Sequence, residues 1–330
     1  MIDRRQLIVA GGAAAALAGF GWPARAASAA GTLRVASLKF GSLSWLLATI
    51  RDEGLADKAG LKIIVVEVAN NQAGPVALLS GEAEVIVSDW PWALRQRALG
   101  EHMKFAPYSS ALGALMVAHD SPIKTLADLK GKKLGVAGGA IDKSWLLLRA
   151  YSKEKLGEDI AKIAYPAYGA APLLTEETRS GRLDAVLNFW TYAARLEGDN
   201  YRSILDMDYV LKALNISPVP SLVGFIWRED TEAQKTAELA AFLSVVEQGN
   251  QILATSDAAW DRIRDLVRPE SDGEFQAIKA YYRAGIPKPW TGAETKAAEK
   301  LTQILVDVGG PQILGSDTQF DPKLFHAAGS

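Results

Sequence analysis

From residue 33 onward, short apolar β-branched runs alternate with stretches of helical spacing. Strands are predicted at 33–38, 61–68 and 84–88, and helices at 42–54, 74–80 and 91–100. Strand, helix, strand, helix in this order implies a parallel sheet wrapped by helices. The alternation restarts with a strand at 133–137, a helix at 142–156, a strand at 162–165, a helix at 172–180 and a strand at 184–188, which predicts a second α/β lobe. After residue 232 the spacing is helical only, over 236–254, 258–266, 272–284 and 293–308, with Pro and Gly breaks between. These helices are expected on the outside of one lobe. Two extended apolar runs, 112–118 and 221–227, flank the second lobe and are expected to cross between the lobes as a hinge.

The halves also echo each other at an offset of one hundred residues. Ser44-Trp45-Leu46-Leu47 returns as Ser144-Trp145-Leu146-Leu147, Ser80-Gly81 as Ser180-Gly181, and Trp90 as Trp190. In each copy a Ser-Gly ends a helix, an acid follows (Glu84 or Asp184), and a polar residue and Trp stand after a four-residue strand. Trp45 and Trp145, inside helical runs, read as core packing; Trp90 and Trp190, at strand ends, read as ligand contacts.

Composition narrows the partners. The 330 residues carry 36 Lys and Arg against 38 Asp and Glu, so there is no basic excess for nucleic acid or an anionic membrane surface. With no cysteine, disulfides, thiolate chemistry and a lipidated N-terminal cysteine are excluded. Residues 1–29 read as a signal peptide: Arg4-Arg5, a weakly apolar stretch to Phe20 too short to span a bilayer, then Pro23 and small-residue cleavage sites. Its removal leaves 33 basic and 37 acidic side chains. The expected product is a periplasmic monomer without a lipid anchor, exported by a twin-arginine or general secretory signal. Lobe 1 is expected over 30–117 and 222–330, with the C-terminal helices, and lobe 2 over 118–221.

The segment Asp120-Ser121-Pro122-Ile123-Lys124-Thr125-Leu126-Ala127-Asp128-Leu129-Lys130-Gly131-Lys132-Lys133 closely resembles the opening of the second lobe in the nitrate/sulfonate/taurine (NitT/TauT) family of ABC solute-binding proteins. Gly74-Pro75, Leu79-Ser80-Gly81, Trp90-Pro91 and Ser180-Gly181-Arg182-Leu183-Asp184-Ala185 extend the likeness over about residues 33 to 230. The resemblance implies a type II periplasmic binding fold, two α/β lobes joined by two crossover strands, which closes on a small molecule and is recognised by an ABC permease in the inner membrane. It implies a binder and not an enzyme.

Ligands of open parallel sheets sit beyond the carboxyl ends of the strands. That rule selects Ser37, Lys39 and Phe40 after the first strand, Asn70, Asn71 and Gln72 after the second, Asp89 and Trp90 after the third, and Ser109. The second lobe adds Gly138 and Gly139, Asn188, Trp190 and Tyr192, and Trp227 lies near the returning hinge. Gly138-Gly139 permits close backbone approach. Where sulfonate- and nitrate-binding members of the family show a Gly-Ser step, this chain reads Gly139-Ala140-Ile141-Asp142, with a carboxylate at the helix start. Asp89 beside a Trp suits a cationic or donating group, so an amine or nitrogen heterocycle is the expected ligand; Asp89 as a helix cap, a sulfonate or other oxyanion as ligand, and an enzyme on the same fold remain as alternatives. His102, His119 and His326 have no metal-ligand spacing, and neither a nucleophile turn nor a phosphate loop is present, so no catalytic residue, metal or cofactor is expected.

Overall fold

The computed structural model describes residues 31–39, 41–315 and 319–326. The signal peptide and the Phe40 contact expected above lie outside them. Ten strands are present: β1 (Gly31–Leu38), β2 (Leu61–Val68), β3 (Ile86–Asp89), β4 (Met103–Ser109), β5 (Ala114–Ala118), β6 (Lys133–Ala137), β7 (Tyr165–Gly169), β8 (Ala185–Asn188), β9 (Tyr201–Asp206) and β10 (Val223–Arg228). The longer helices are α1 (Ser42–Asp52), α2 (Ala73–Leu79), α3 (Trp90–Ala98), α4 (Lys143–Leu156), α5 (Ala171–Arg179), α6 (Trp190–Gly198), α7 (Met207–Ala213), α8 (Thr236–Thr255), α9 (Asp272–Ala284) and α10 (Gly292–Gly309). No helix among the described residues is long and apolar enough to cross a membrane.

The strands form two layers with one plan. In the first lobe β1 pairs in parallel with β2, and β10 lies antiparallel between β3 and β4. A parallel bridge from Val35 to Val85, with the Ala36 N–H donating to Val85 at 2.8 Å, joins the two parts in the order β2-β1-β3-β10-β4. The second lobe runs β7-β6-β8-β5-β9, with β5 antiparallel between β8 and β9. Each sheet therefore takes one returning strand in its fourth position, the type II binding arrangement.

The hundred-residue echo survives at atomic detail. Gly81 and Gly181 both adopt positive φ, +76° and +71°, just past the helix ends at Ser80 and Ser180. Glu84 accepts the Arg34 N–H at 2.9 Å in one lobe, and Asp184 accepts the Lys133 N–H at 2.7 Å in the other. The equivalent helices α3 and α6 begin at Trp90 and Trp190.

Three expectations need correction. First, the run 112–118 does not span the gap: β5 is already inside the second sheet from Ala114, before the expected boundary at 118, so the outward crossing is the link 110–113. Second, the strand expected at 162–165 begins at Tyr165, because Asp159 accepts the Ala161 N–H at 3.0 Å and starts a helical turn over Ile160–Ile163. Third, the C-terminal helices do not all sit on one lobe. Helix α8 packs on α1, whereas α9 lies along α6 and α10 along α4, both in the second lobe. The α6–α9 contact is closed at Gly198, where a Cβ would fall 2.3 Å from the Glu274 nitrogen. Wholly buried Glu274 then accepts from Arg179 and Arg195, each at 2.9 Å.

Candidate functional site

The parallel strands of each lobe point their carboxyl ends at the other lobe, and the two edges meet. The junction is visible in one ion pair: Asp89, ending β3, accepts at Oδ2 from Lys143, which opens α4 after β6, at 2.8 Å. Oδ1 of the same carboxylate accepts the Trp92 N–H at 3.0 Å and caps α3. Asp89 is thus the helix cap read above with one oxygen, while the other oxygen pairs with Lys143 of the other lobe.

The second-lobe wall is built by the turn between β6 and α4. Gly138 has φ +85°, and a Cβ there would lie 2.7 Å from Asp142 Oδ2, so only glycine lets the carboxylate fold back beneath the turn. Asp142 caps α4, accepting from the Ser144 and Trp145 N–H groups at 2.9 and 3.3 Å. Burial pushes its carboxyl up to about 6; Lys143 and the two cap donors oppose the rise and the Asp89 charge adds to it. Because this carboxylate already occupies the helix N-terminus, an anion gains little there. Gly139, at φ +102°, has open space where a side chain would be.

Beside the pair, Trp190 of the second lobe leans edge-on against Trp45 and Tyr282, at ring-centroid distances of 6.1 and 6.3 Å. Ser42, Tyr108, Ser109, Trp190, Asn250 and Tyr282 line most of the small space left, about 10 Å³, near the least that holds one water. The Tyr108 hydroxyl donates to Ser42 Oγ and that of Tyr282 to Asn250 Oδ1, both at 2.8 Å; burial raises both phenols. A second, open groove of about 390 Å³ lies on the first lobe alone, past the carboxyl end of β2, between Glu67, Asn70, Gln72, Val76 and Glu82.

The expected contacts therefore divide. Asp89, Ser109, Gly138, Gly139 and Trp190 come to the seam. Asn70 and Gln72 line the separate groove, where Asn70 Oδ1 accepts the Gln72 and Ala73 N–H groups and starts α2; Asn71 is exposed beside them. Ser37 is buried and donates to Leu38 at 3.2 Å; exposed Lys39 lies 3.8 Å from Glu67. Tyr192 is partly buried within α6.

Trp90, Trp227 and Asn188 contradict the sequence reading. Trp90 is wholly buried and packs edge-on to Phe325, and Trp227 is buried against the His326 ring; both face a C-terminal segment whose position the strand-end rule does not foresee. Asn188 is also buried: its amide donates to Ala171 and Thr175, and its oxygen accepts the Phe189 N–H, so it holds the turn into α6. Lys143, Ser42, Tyr108, Asn250 and Tyr282 were missed. Lys143 had a legible signal, a cation opening a helix after Gly138-Gly139, but Asn250 and Tyr282 come from helices expected outside, and Tyr108 from mid-strand spacing. Asp199, Glu270 and Glu274 lie close enough to share an ion, but Arg179 pairs with all three.

The NMT1/THI5-like family model matches residues 51–258. A Haemophilus influenzae protein whose name provisionally assigns it to thiamine biosynthesis is 24% identical over 217 residues, 64% of this chain; the match spans 65% of that protein's length. Among solved structures, the periplasmic aliphatic sulphonate binding protein SsuA of Escherichia coli superposes with a TM-score of 0.70 at 18% identity, covering 90% of this chain and 92% of the other. The alkanesulfonate-binding protein SsuA of Xanthomonas axonopodis pv. citri, bound to MOPS, gives 0.66 at 18% identity, with 90% and 98% covered. The desulfurization enzyme DSZB gives 0.57 at 15% identity, with 87% and 97% covered.

Proposed function

We propose, on the premise that the chain belongs to the NMT1/THI5-like family, that it is the solute-binding component of an ABC importer. It acts in the periplasm and hands a small organic solute to an inner-membrane permease. The observation that carries this reading is the meeting of two sheet edges at Asp89 and Lys143, with Trp190 reaching across from the second lobe to Trp45 of the first. Such a seam closes on a guest, gaining contacts from both walls only when shut, and so converts binding into a change of shape.

The ligand proposed is an amine or nitrogen heterocycle. Two carboxylates, Asp89 and Asp142, stand at the seam, and Asp142 already fills the α4 N-terminus that an oxyanion would otherwise use. Trp190 supplies a ring face for a flat or cationic group. The sulfonate-binding neighbours favour a second reading, an organosulfonate, for which Lys143 would be the counter-charge. DSZB, on the same fold, makes turnover the third.

A thermal-shift screen of the exported chain with amines, nitrogen heterocycles, carboxylates and organosulfonates separates them. A ligand at a hundred times its Kd stabilises by about 2.7 kcal/mol. The expected result is stabilisation by a nitrogenous compound that is recovered chemically unchanged. A response confined to sulfonates overturns the ligand class, and conversion of the compound overturns the binding role.

A further inference from the structure

The Asp89–Lys143 pair is the place where charge passes from one lobe to the other, and its geometry suits more than recognition. The two residues sit on different sheets, at the end of β3 and the start of α4, and both are about one-quarter exposed. The pair is therefore neither buried in one core nor fully solvated. Each partner is fixed from its own side: Asp89 by the Trp92 N–H on its second oxygen, and Lys143 by its place in the first turn of α4 beneath the Asp142 cap. At 2.8 Å the two side chains can meet only while the strand tips of the lobes are close together.

We propose that Asp89 and Lys143 form an interlobe latch that stabilises the closed arrangement of the two lobes. The latch therefore sets how often the cleft stands open to a guest. This rests on the two-lobed reading above, but not on the identity of the ligand. Lys39 and Glu67, the other ion pair near the sheet edge, lie on the same lobe and do not span the gap. The Arg179–Glu274–Arg195 cluster ties α9 to the second lobe away from the sheet edges.

The test needs no ligand. The chain has no cysteine, so dyes placed by Lys58→Cys and Glu154→Cys, exposed positions on the first and second lobes, report the closed-to-open ratio by single-molecule energy transfer. Lys143→Met and Asp89→Asn, the latter keeping an oxygen for the α3 cap, are each expected to lower that ratio several-fold, as for a partly exposed ion pair. Lys143→Glu lowers it further by facing two carboxylates, and Lys143→Arg holds it near the parent value. Raising NaCl from 0.1 to 1 M is expected to lower the ratio in the parent and leave Lys143→Met unchanged. Equal ratios in the parent, Lys143→Met and Lys143→Glu overturn the latch. An amine-free screen result overturns the ligand class while leaving this measurement intact.

Discussion

Asp142 combines two demands that pull against each other. It must accept two backbone N–H bonds at the start of α4, and burial raises its carboxyl from the ordinary carboxylate value to about 6. Since the folded value lies above the unfolded one, between about pH 4 and 6 the native protein binds more protons than the unfolded chain. Stability then falls as pH rises through that window and levels off above it. Asp142→Asn keeps an oxygen for the cap and removes the charge, so urea titrations are expected to show the variant more stable than the parent at pH 7 by about 1–2 kcal/mol, with the difference shrinking towards pH 4. The two tryptophans of the echo separate in the same way. Trp190→Ala, at the seam, is expected to weaken solute binding by about 1–3 kcal/mol in calorimetry with little loss of stability. Trp90→Ala, deep in the core against Phe325, is expected to cost about 3–5 kcal/mol in unfolding. Equal effects of the two on binding would contradict their different placement.

At the scale of elements, α9 has a particular role. Its first turn is clamped to the second lobe through Glu274, while Tyr282, about two turns on, packs with Trp45, Trp190 and Trp260 and donates to Asn250. The Gly285 carbonyl at its end accepts the Ser110 N–H and hydroxyl, at 2.9 and 3.2 Å, on the link that leaves the first lobe. Helix α9 is therefore a third connection between the lobes, beside the link 110–113 and the chain that returns to β10. Glu274→Gln removes the carboxylate that Arg179 and Arg195 share while Arg179 keeps Asp199 and Glu270, and is expected to destabilise by about 1.5–3 kcal/mol and to lower hydrogen-exchange protection in α9 and α6 first. Protection lost evenly across both lobes would argue against that role.

The elements show where sequence reading works. Period-two and period-3.6 patterns located both sheets and most long helices, because one face of each is buried and the other wet. The strand-end rule found Asp89, Gly138, Gly139 and Trp190, since these depend on topology. It failed for Trp90 and Trp227, because the burial of a strand-end ring depends on which remote segment covers it, and the segment ending at His326 carries no pairing signal. It missed Asn250 and Tyr282 because amphipathic spacing tells which face of a helix is buried, not against which lobe.

For the whole molecule, a common sheet plan in both lobes, strand tips that confront each other and a seam spanned by Asp89, Lys143 and Trp190 describe a clamp. Contacts from both walls form only when the lobes close, so a bound solute is expected to hold them at one separation. Electron–electron distance measurement between spin labels at Lys58→Cys and Glu154→Cys, with and without a saturating compound from the stability screen, tests this most directly. The account predicts that the compound replaces the distribution of the unliganded protein by a single narrow peak at its closed end. An identical distribution with and without the compound, at concentrations where calorimetry shows it bound, would contradict it.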